Sequence, residues 1–398
     1  MISVEEARQL VMSQVRPCGG EHHLLDNAVG RVVIVDIVSP EAYPLSDVSA
    51  VDGYAVGTSQ GPWTVVGELA AGDTTDIVLG GGDAYRIFTG ATVPIGTTAV
   101  LMQERCTREG PFLIHEGAPF LVGANIRREG ESVKAGEVIL RKGSVLTPAA
   151  IGLLASCGLK DVMVSTEPVV SIIRTGGEFI EDGASKKGRI HSSNDRMLIG
   201  ALREAGCYTK DEALLAQDEA DELRRVLLAA VQAGGVVITT GGASVGDHDL
   251  LVPVLKEMNA TIHFHGVAQK PGKPMFFATL NGVPIFGLPG NPRAALVLFY
   301  EYVLPFLSAM RQRRDPWLRT HHLPLNTALT LKGDRAEFRA ARVQDGRVEL
   351  LADEGSHMLR TLVEADALVY LPAAQRAWNA GDPVEVHALP HHRSPQGR

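Results

Sequence analysis

A short apolar run, Val236-Val-Ile-Thr-Thr240, is followed at once by Gly241-Gly-Ala-Ser-Val-Gly-Asp-His-Asp249. Glycines at this position let a backbone approach an anion closely and turn its N–H groups towards it. Arg174-Thr-Gly-Gly-Glu178 follows a second apolar run, and Gly287-Leu-Pro-Gly-Asn-Pro292 precedes a long apolar segment. Lys270-Pro-Gly-Lys-Pro274 places two lysines in a loop stiffened by two prolines. Asp249, Glu178 and Asp218 add carboxylates, and Mg2+ prefers one or two of these together with substrate phosphates. Glycine backbone, lysine charge and acids are therefore the parts of a site for a phosphorylated ligand. Each part also has a plainer reading: a tight turn, a helix cap at Asp249 or Asp218, a solvated lysine. His263 and His265 share one face of an expected strand, but no third ligand follows at metal-site spacing, which favours a structural role. Neither a GxSxG nucleophile elbow nor a GxxxxGK[ST] phosphate loop occurs.

These loops need a frame that brings them together. From 168 to about 310 apolar runs alternate with helical stripes. Val169–Ile173 and Val236–Thr240 read as strands. Leu198, Leu202 and Ala205 share one helical face with Asn194 as its cap, and Leu223, Val226, Leu227, Ala230 and Val231 share another, closed by Gly234-Gly235. Such alternation predicts a mostly parallel sheet covered on both faces, and ligands bind at the carboxyl ends of its strands. Residues 46–142 are glycine-rich with short alternating runs and read as a small β domain. Thr147–Leu159 reads as a helix returning to the first segment, which makes that β domain an insertion. Residues 316–390 return to β, with a hairpin around Asp345-Gly346. The expected division is 1–45 with 143–167, then 46–142, 168–315 and 316–390.

Composition narrows the classes of function. The chain has 398 residues and a formal net charge of −8, which argues against a general nucleic-acid binder. Its four cysteines, Cys18, Cys106, Cys157 and Cys207, form no CxxC pair, which fits reduced thiols in the cytoplasm. The N-terminus carries acids where a signal peptide has a basic start, and Ser3 with Glu6 suits a helix capping box. Ala294–Leu307, the most apolar segment, holds Glu301 and Pro305 and is short of the ~20 apolar residues of a membrane span.

Taken in order, Val51-Asp-Gly-Tyr-Ala55, Arg86-Ile-Phe-Thr-Gly90, Leu101-Met-Gln-Glu104, Asn125-Ile-Arg-Arg128, the loop after Thr240, Lys270–Pro274, Gly287–Pro292 and Gly355-Ser-His357 resemble the molybdopterin molybdenumtransferase family, the MoeA proteins and the E domain of gephyrin. The resemblance implies an α/β plus β protein: an elongated multidomain subunit with a three-layer α/β molybdopterin-binding domain, an inserted small β domain and a C-terminal β-barrel-like domain. It implies a homodimer that inserts molybdate into adenylylated molybdopterin with Mg2+ and releases AMP, downstream of a molybdopterin adenylyltransferase. By the same resemblance Asp52, Thr89, Glu178, Asp218 and Asp249 are catalytic, with Asp249 and Glu178 on the metal. Asp52 and Thr89 reach in from the partner subunit. Gly241, Gly242, Ser244, Lys270, Lys273, Pro289, Pro292, Arg127 and Ser356 bind the pterin nucleotide or molybdate.

The pattern has departures. Ser132 stands where the family has an acid, Gly177 replaces the Asp of a Gly-Asp-Glu, Gly266 replaces a cation, Gly235 stands where an Asp is common, and Val51 replaces a Met. They leave two expectations: an active or slowed transferase, or a gephyrin-like scaffold that holds a partner peptide of a membrane receptor or the cytoskeleton.

Overall fold

The computed structural model describes residues 1–73, 76–177, 179–180, 187–209, 212–217, 219–242, 250–352, 355 and 358–390. Contacts divide the chain into two compact units, Met1–Glu21 with Val164–Arg398 and His22–Met163.

The first unit is built on a seven-stranded sheet. Its order is Tyr208–Thr209, Val169–Thr175, Val236–Thr240, Val283–Leu288, Phe276–Leu280 and Thr261–His265, with Leu214–Ala216 also paired to Val169–Thr175. Strands up to Val283–Leu288 run parallel, and the last two are antiparallel to their neighbours. The expectation of a mostly parallel sheet holds, with an antiparallel edge made by local chain reversal at Asn281-Gly282, both at positive φ. Side chains alternate across it. Ile173, Val237 and Ile285 meet Leu223, Leu227, Ala230, Leu251 and Leu255 on one face. Ile172, Ile238 and Phe286 meet Leu198, Leu202, Leu298, Phe306 and the N-terminal Val4, Ala7 and Val11 on the other. A buried leucine contributes about 1.5–3 kcal/mol. The stripe on Ala220–Gln232 therefore holds that helix more than its intrinsic propensity does.

Two sequence readings change here. Asn194 does not cap its helix: Asn194–Glu204 starts without a side-chain cap, and the Asn194 amide crosses to the sheet instead. The apolar segment is also longer than expected. Pro292–Leu298, a π-helical turn Phe299–Val303 and Leu304–Met310 form one 19-residue helix, and 83% of its most apolar window is buried inside the fold. It is a core helix; Arg293 and Glu301 on it are each only 2% exposed.

The C-terminal part of this unit is a six-stranded sheet of Gln269–Lys270, Ala336–Gln344, Ala367–Leu371, Pro383–Ala388 and Thr320–Pro324, with Arg347–Leu350 paired to Ala336–Gln344. The Asn326 amide donates to the Val348 carbonyl at 2.8 Å, which curls the far edge back towards the hairpin and gives the barrel-like form. Asp345 (φ 50°) and Gly346 (φ 71°) make the tight turn of that hairpin.

The second unit centres on a six-stranded sheet ordered Ala99–Met102, Gly53–Val56, Asp83–Ile87, Trp63–Leu69, Phe112–His115 and Cys106–Glu109. Ala55, Leu69, Ile87 and Val100 fill one core and Val56, Trp63, Leu101 and Leu113 another. The helix Pro148–Ser156 is capped by Thr147, whose hydroxyl accepts from the Ala150 amide at 3.2 Å. The preceding residues lie beside the early chain, with the Gly30 amide donating to Leu146 at 2.8 Å and that of Val33 to Ser144 at 3.0 Å.

Candidate active site

At the carboxyl ends of the parallel strands three segments converge. The Gly241 amide donates to the Leu288 carbonyl at 3.1 Å, and a Cβ on Gly290 would lie 3.9 Å from the Gly241 Cα. At Gly241 (φ 89°) a side chain would sit 2.7 Å from the Thr175 hydroxyl and 2.9 Å from its carbonyl, so only glycine fits. The structure thus brings together Gly241, Gly242, Pro289 and Pro292 at the end of the sheet, beside Thr175. Asn194 Nδ2 donates to Thr240 Oγ1 at 2.7 Å and to the Gly290 carbonyl at 2.9 Å. Arg174 lies 3.5 Å from Asp195 and 4.5 Å over the Phe179 ring, and Asp195 is held by the Ser192 hydroxyl at 2.8 Å.

Lys270 and Lys273 are both exposed, on a loop anchored from below. Gln269 Nε2 donates to the Pro271 carbonyl at 2.8 Å, and the Tyr302 hydroxyl donates to Gln269 Oε1. Gln269–Lys270 pairs with Ala336 and Glu337 of the C-terminal sheet. Glu337, 4% exposed, sits 4.0 Å from the Lys270 ammonium and accepts from Arg339 Nε at 2.8 Å. Sequence reasoning missed Asn194 as a bridge, Glu337 and Arg339. An acid and a base two apart on one face of the apolar run Ala336–Ala341 were the available signal.

In the second unit Asp52 Oδ1 accepts from both the amide and the hydroxyl of Thr89, each at 2.8 Å. Those two bonds, the amide's first, hold the Asp52 carboxyl below the usual aspartate range. Arg86 Nη1 donates to the Gly53 carbonyl at 2.8 Å while its guanidinium lies over Tyr54 and Phe88. Arg127 is exposed on Ile126–Arg127, paired with Val48–Ser49, and its neighbour Arg128 is tied to Asp47.

Glu178, Asp218, Ser244, Asp249 and Ser356 lie outside the described residues. Among the described residues no group of three or more His, Cys, Asp or Glu side chains is placed to hold a metal. His263 behaves as a structural residue. Its Nε2 is 3.1 Å from the Thr279 hydroxyl, its ring stacks on Phe277 at 5.2 Å, and burial pushes its pKa down.

Two departures from the family pattern acquire a physical reason. Gly235 has φ 79°, and a Cβ there would fall 1.9 Å from the Val169 carbonyl oxygen, so this backbone accepts no aspartate. Gly266 has φ 96°, with Met1 Cγ 3.2 Å from where a Cβ would be.

A mostly parallel sheet with glycine loops joined at its carboxyl edge and a lysine loop alongside is an α/β fold of the kind that presents backbone amides at its strand ends. Residues 171–309 match the family described as a probable molybdopterin binding domain. Residues 2–158 match the MoeA N-terminal region (domains I and II), and 322–389 match the MoeA C-terminal region (domain IV). The chain belongs to the MoeA family. It is 33% identical over 404 residues to a molybdopterin molybdenumtransferase of Haemophilus influenzae, covering 98% of this chain and 99% of that one. It is also 33% identical to molybdopterin molybdenumtransferase 2 of Mycobacterium tuberculosis, over 98% and 100% of the two chains. The crystal structure of a molybdopterin biosynthesis MoeA protein from Pyrococcus horikoshii OT3 is similar with a TM-score of 0.83 at 28% identity, over 98% and 100% of the chains.

Proposed function

We propose that the protein is a molybdopterin molybdenumtransferase of molybdenum cofactor biosynthesis. It inserts molybdate into the dithiolene of adenylylated molybdopterin with Mg2+-dependent release of AMP. The observation that supports this reading best is the hydrogen bond from the Gly241 amide to the Leu288 carbonyl, which joins the two glycine loops beside Thr175 in a chain similar to a molybdopterin molybdenumtransferase over its whole length. Breaking a phosphoanhydride requires charge neutralisation and positioning more than a covalent nucleophile. The Gly241 and Gly242 backbone, with Ser244, Pro289 and Pro292, cradles the phosphate and nucleotide. Lys270 and Lys273 neutralise the molybdate dianion, helped by Arg127 and Ser356. Glu178, Asp218 and Asp249 serve the reacting end, where Asp249 and Glu178 would hold Mg2+. When bound, the ion neutralises charge that develops on the phosphate oxygens. The protein works as a homodimer, Asp52 and Thr89 reaching the site from the partner subunit, and a molybdopterin adenylyltransferase supplies its substrate.

The test is to incubate the purified protein with adenylylated molybdopterin, molybdate and Mg2+. AMP and a cofactor able to activate a molybdenum-free molybdoenzyme are the expected products. No AMP, with substrate bound, would overturn the reading.

A further inference from the structure

We infer that Asn194 is a positioning residue that clasps the two glycine loops, and that the gap it sets is what lets them hold the pterin nucleotide. The inference rests on the proposed transferase reading for its ligand, but not for its geometry. Asn194 is the first residue of an eleven-residue helix whose N-cap position, Ser193, makes no side-chain cap bond. Asn194 Nδ2 sends both protons out of the helix, one to Thr240 Oγ1 at 2.7 Å and one to the Gly290 carbonyl at 2.9 Å.

The Gly290 carbonyl can only accept, so the amide nitrogen must face it; turning the amide over would set oxygen against oxygen. That orientation strands Oδ1, which is buried without a partner in a residue only 7% exposed. A helix start without its cap and a buried acceptor without a donor are both unfavourable locally. The two bonds that accompany them join the end of Val236–Thr240 to the loop that opens the core helix, where the Gly241 amide already donates to the Leu288 carbonyl at 3.1 Å. A residue chosen for stability alone would satisfy its oxygen, so the arrangement serves the gap between the loops.

Asn194→Asp separates this from a purely structural role. Of the charged groups on the elements packed here, Arg174 on the adjoining strand pairs with Asp195 at 3.5 Å, and Arg293 is buried on the core helix that packs against this one, where it opposes any rise in the new carboxyl's pKa. The introduced carboxylate therefore faces Thr240 and Gly290. Ionised, it repels the Gly290 carbonyl; protonated, it can donate to it. Burial and that carbonyl both raise its pKa, so the defect is full at high pH and shrinks as pH falls through the raised value. The expected result is a KM for adenylylated molybdopterin about tenfold or more above wild type at neutral pH, the scale of a lost buried hydrogen bond. The defect narrows towards about pH 5. Hydrogen–deuterium exchange at 240–242 and 287–291 should quicken with the same pH dependence. Thr240→Val, which removes one of the two bonds and introduces no titrating group, should raise exchange and KM less and with no pH dependence. Wild-type KM and exchange in both variants would overturn the clasp. If Asn194→Asp fails to fold, Thr240→Val decides: faster exchange supports the clasp and wild-type exchange refutes it. A wild-type protein that releases no AMP refutes the transferase reading, while the exchange measurement still decides the clasp.

Discussion

Asp52 and Thr89, 37 residues apart, are joined by two hydrogen bonds to a single carboxylate oxygen, one from the Thr89 amide and one from its hydroxyl, both 2.8 Å long. The donors favour the ionised acid. Because the folded pKa is depressed, Asp52 stays charged well into the acid range and gains its proton only as pH falls through the lowered value. Thr89→Val keeps the backbone donor and the shape but removes the hydroxyl. The Asp52 pKa, followed by carboxyl NMR, should rise part of the way towards the ordinary aspartate value, and any acid limb of activity due to Asp52 should move up with it. An unchanged titration would show that the hydroxyl contributes nothing.

The proposed shared site predicts complementation. Asp52→Ala and Asp249→Ala lie in separate units of the chain and should each abolish AMP release. Mixed and allowed to exchange subunits, the two variants should recover part of it, because one hybrid site contains neither substitution. No recovery in proven heterodimers would mean that each site is made within one chain.

His387 offers a pH test away from that site. Burial alone would lower its pKa, but the Glu301 carboxylate at 2.8 Å, with hydrogen bonds to Glu301 and Glu385, outweighs burial and raises it to about 9. A raised folded pKa means that the stabilisation is complete below the ordinary value of 6.5 and is lost as pH rises through about 9. Urea unfolding should show wild type losing stability over that window relative to His387→Gln, whose curve lacks this contribution. Glu301→Gln leaves Arg8 and His387 facing a neutral partner and should cost roughly 3 kcal/mol or more. Parallel curves for wild type and His387→Gln would sink the assignment.

Asp249→Asn should melt within ~1 kcal/mol of wild type, the scale of a helix cap. It should still bind adenylylated molybdopterin yet release AMP ~10²-fold more slowly, because the charge it meets develops only during reaction. Wild-type turnover would reduce Asp249 to a structural acid.

Restoring the residue common elsewhere in the family should do harm at Gly235. Gly235→Asp forces a left-handed backbone on a side chain, costing roughly 1–3 kcal/mol, and drives its Cβ into the Val169 carbonyl. A thermal midpoint equal to wild type would show that the strand has room to shift.

Much of the frame was legible locally. Val236–Thr240 is β-branched throughout and became a fully buried strand. Ser3 stands just before a helical stripe and caps it as read, the helix expected from Thr147 forms with Thr147 as its cap, and Asp345-Gly346 makes its turn. These depend on neighbours in sequence. Asn194 does not: its partners are 46 and 96 residues away, so the cap that its position suggests lost to a tertiary pairing no window could reveal. Glu337 and Arg339 left a local signal, but the pairing of Glu337 with Lys270 did not, the lysine lying on a loop before the core helix. The antiparallel edge of the sheet looked like any other apolar run, because periodicity reports burial and not direction.

The short strand Gln269–Lys270 belongs by hydrogen bonding to the C-terminal sheet, with the Ala336 amide on the Ala268 carbonyl at 3.1 Å and Arg335 reaching the Gln269 carbonyl at 3.3 Å. A C-terminal region exchanged between two relatives would therefore bring its own edge to the lysine loop, resetting where that loop's charges stand. Truncation before Thr320 would leave a strand without its mate and an exposed, apolar-rimmed seam. Chimeras across this junction are better cut within the second unit, since swapping the tail alone also edits the loop that precedes the core helix.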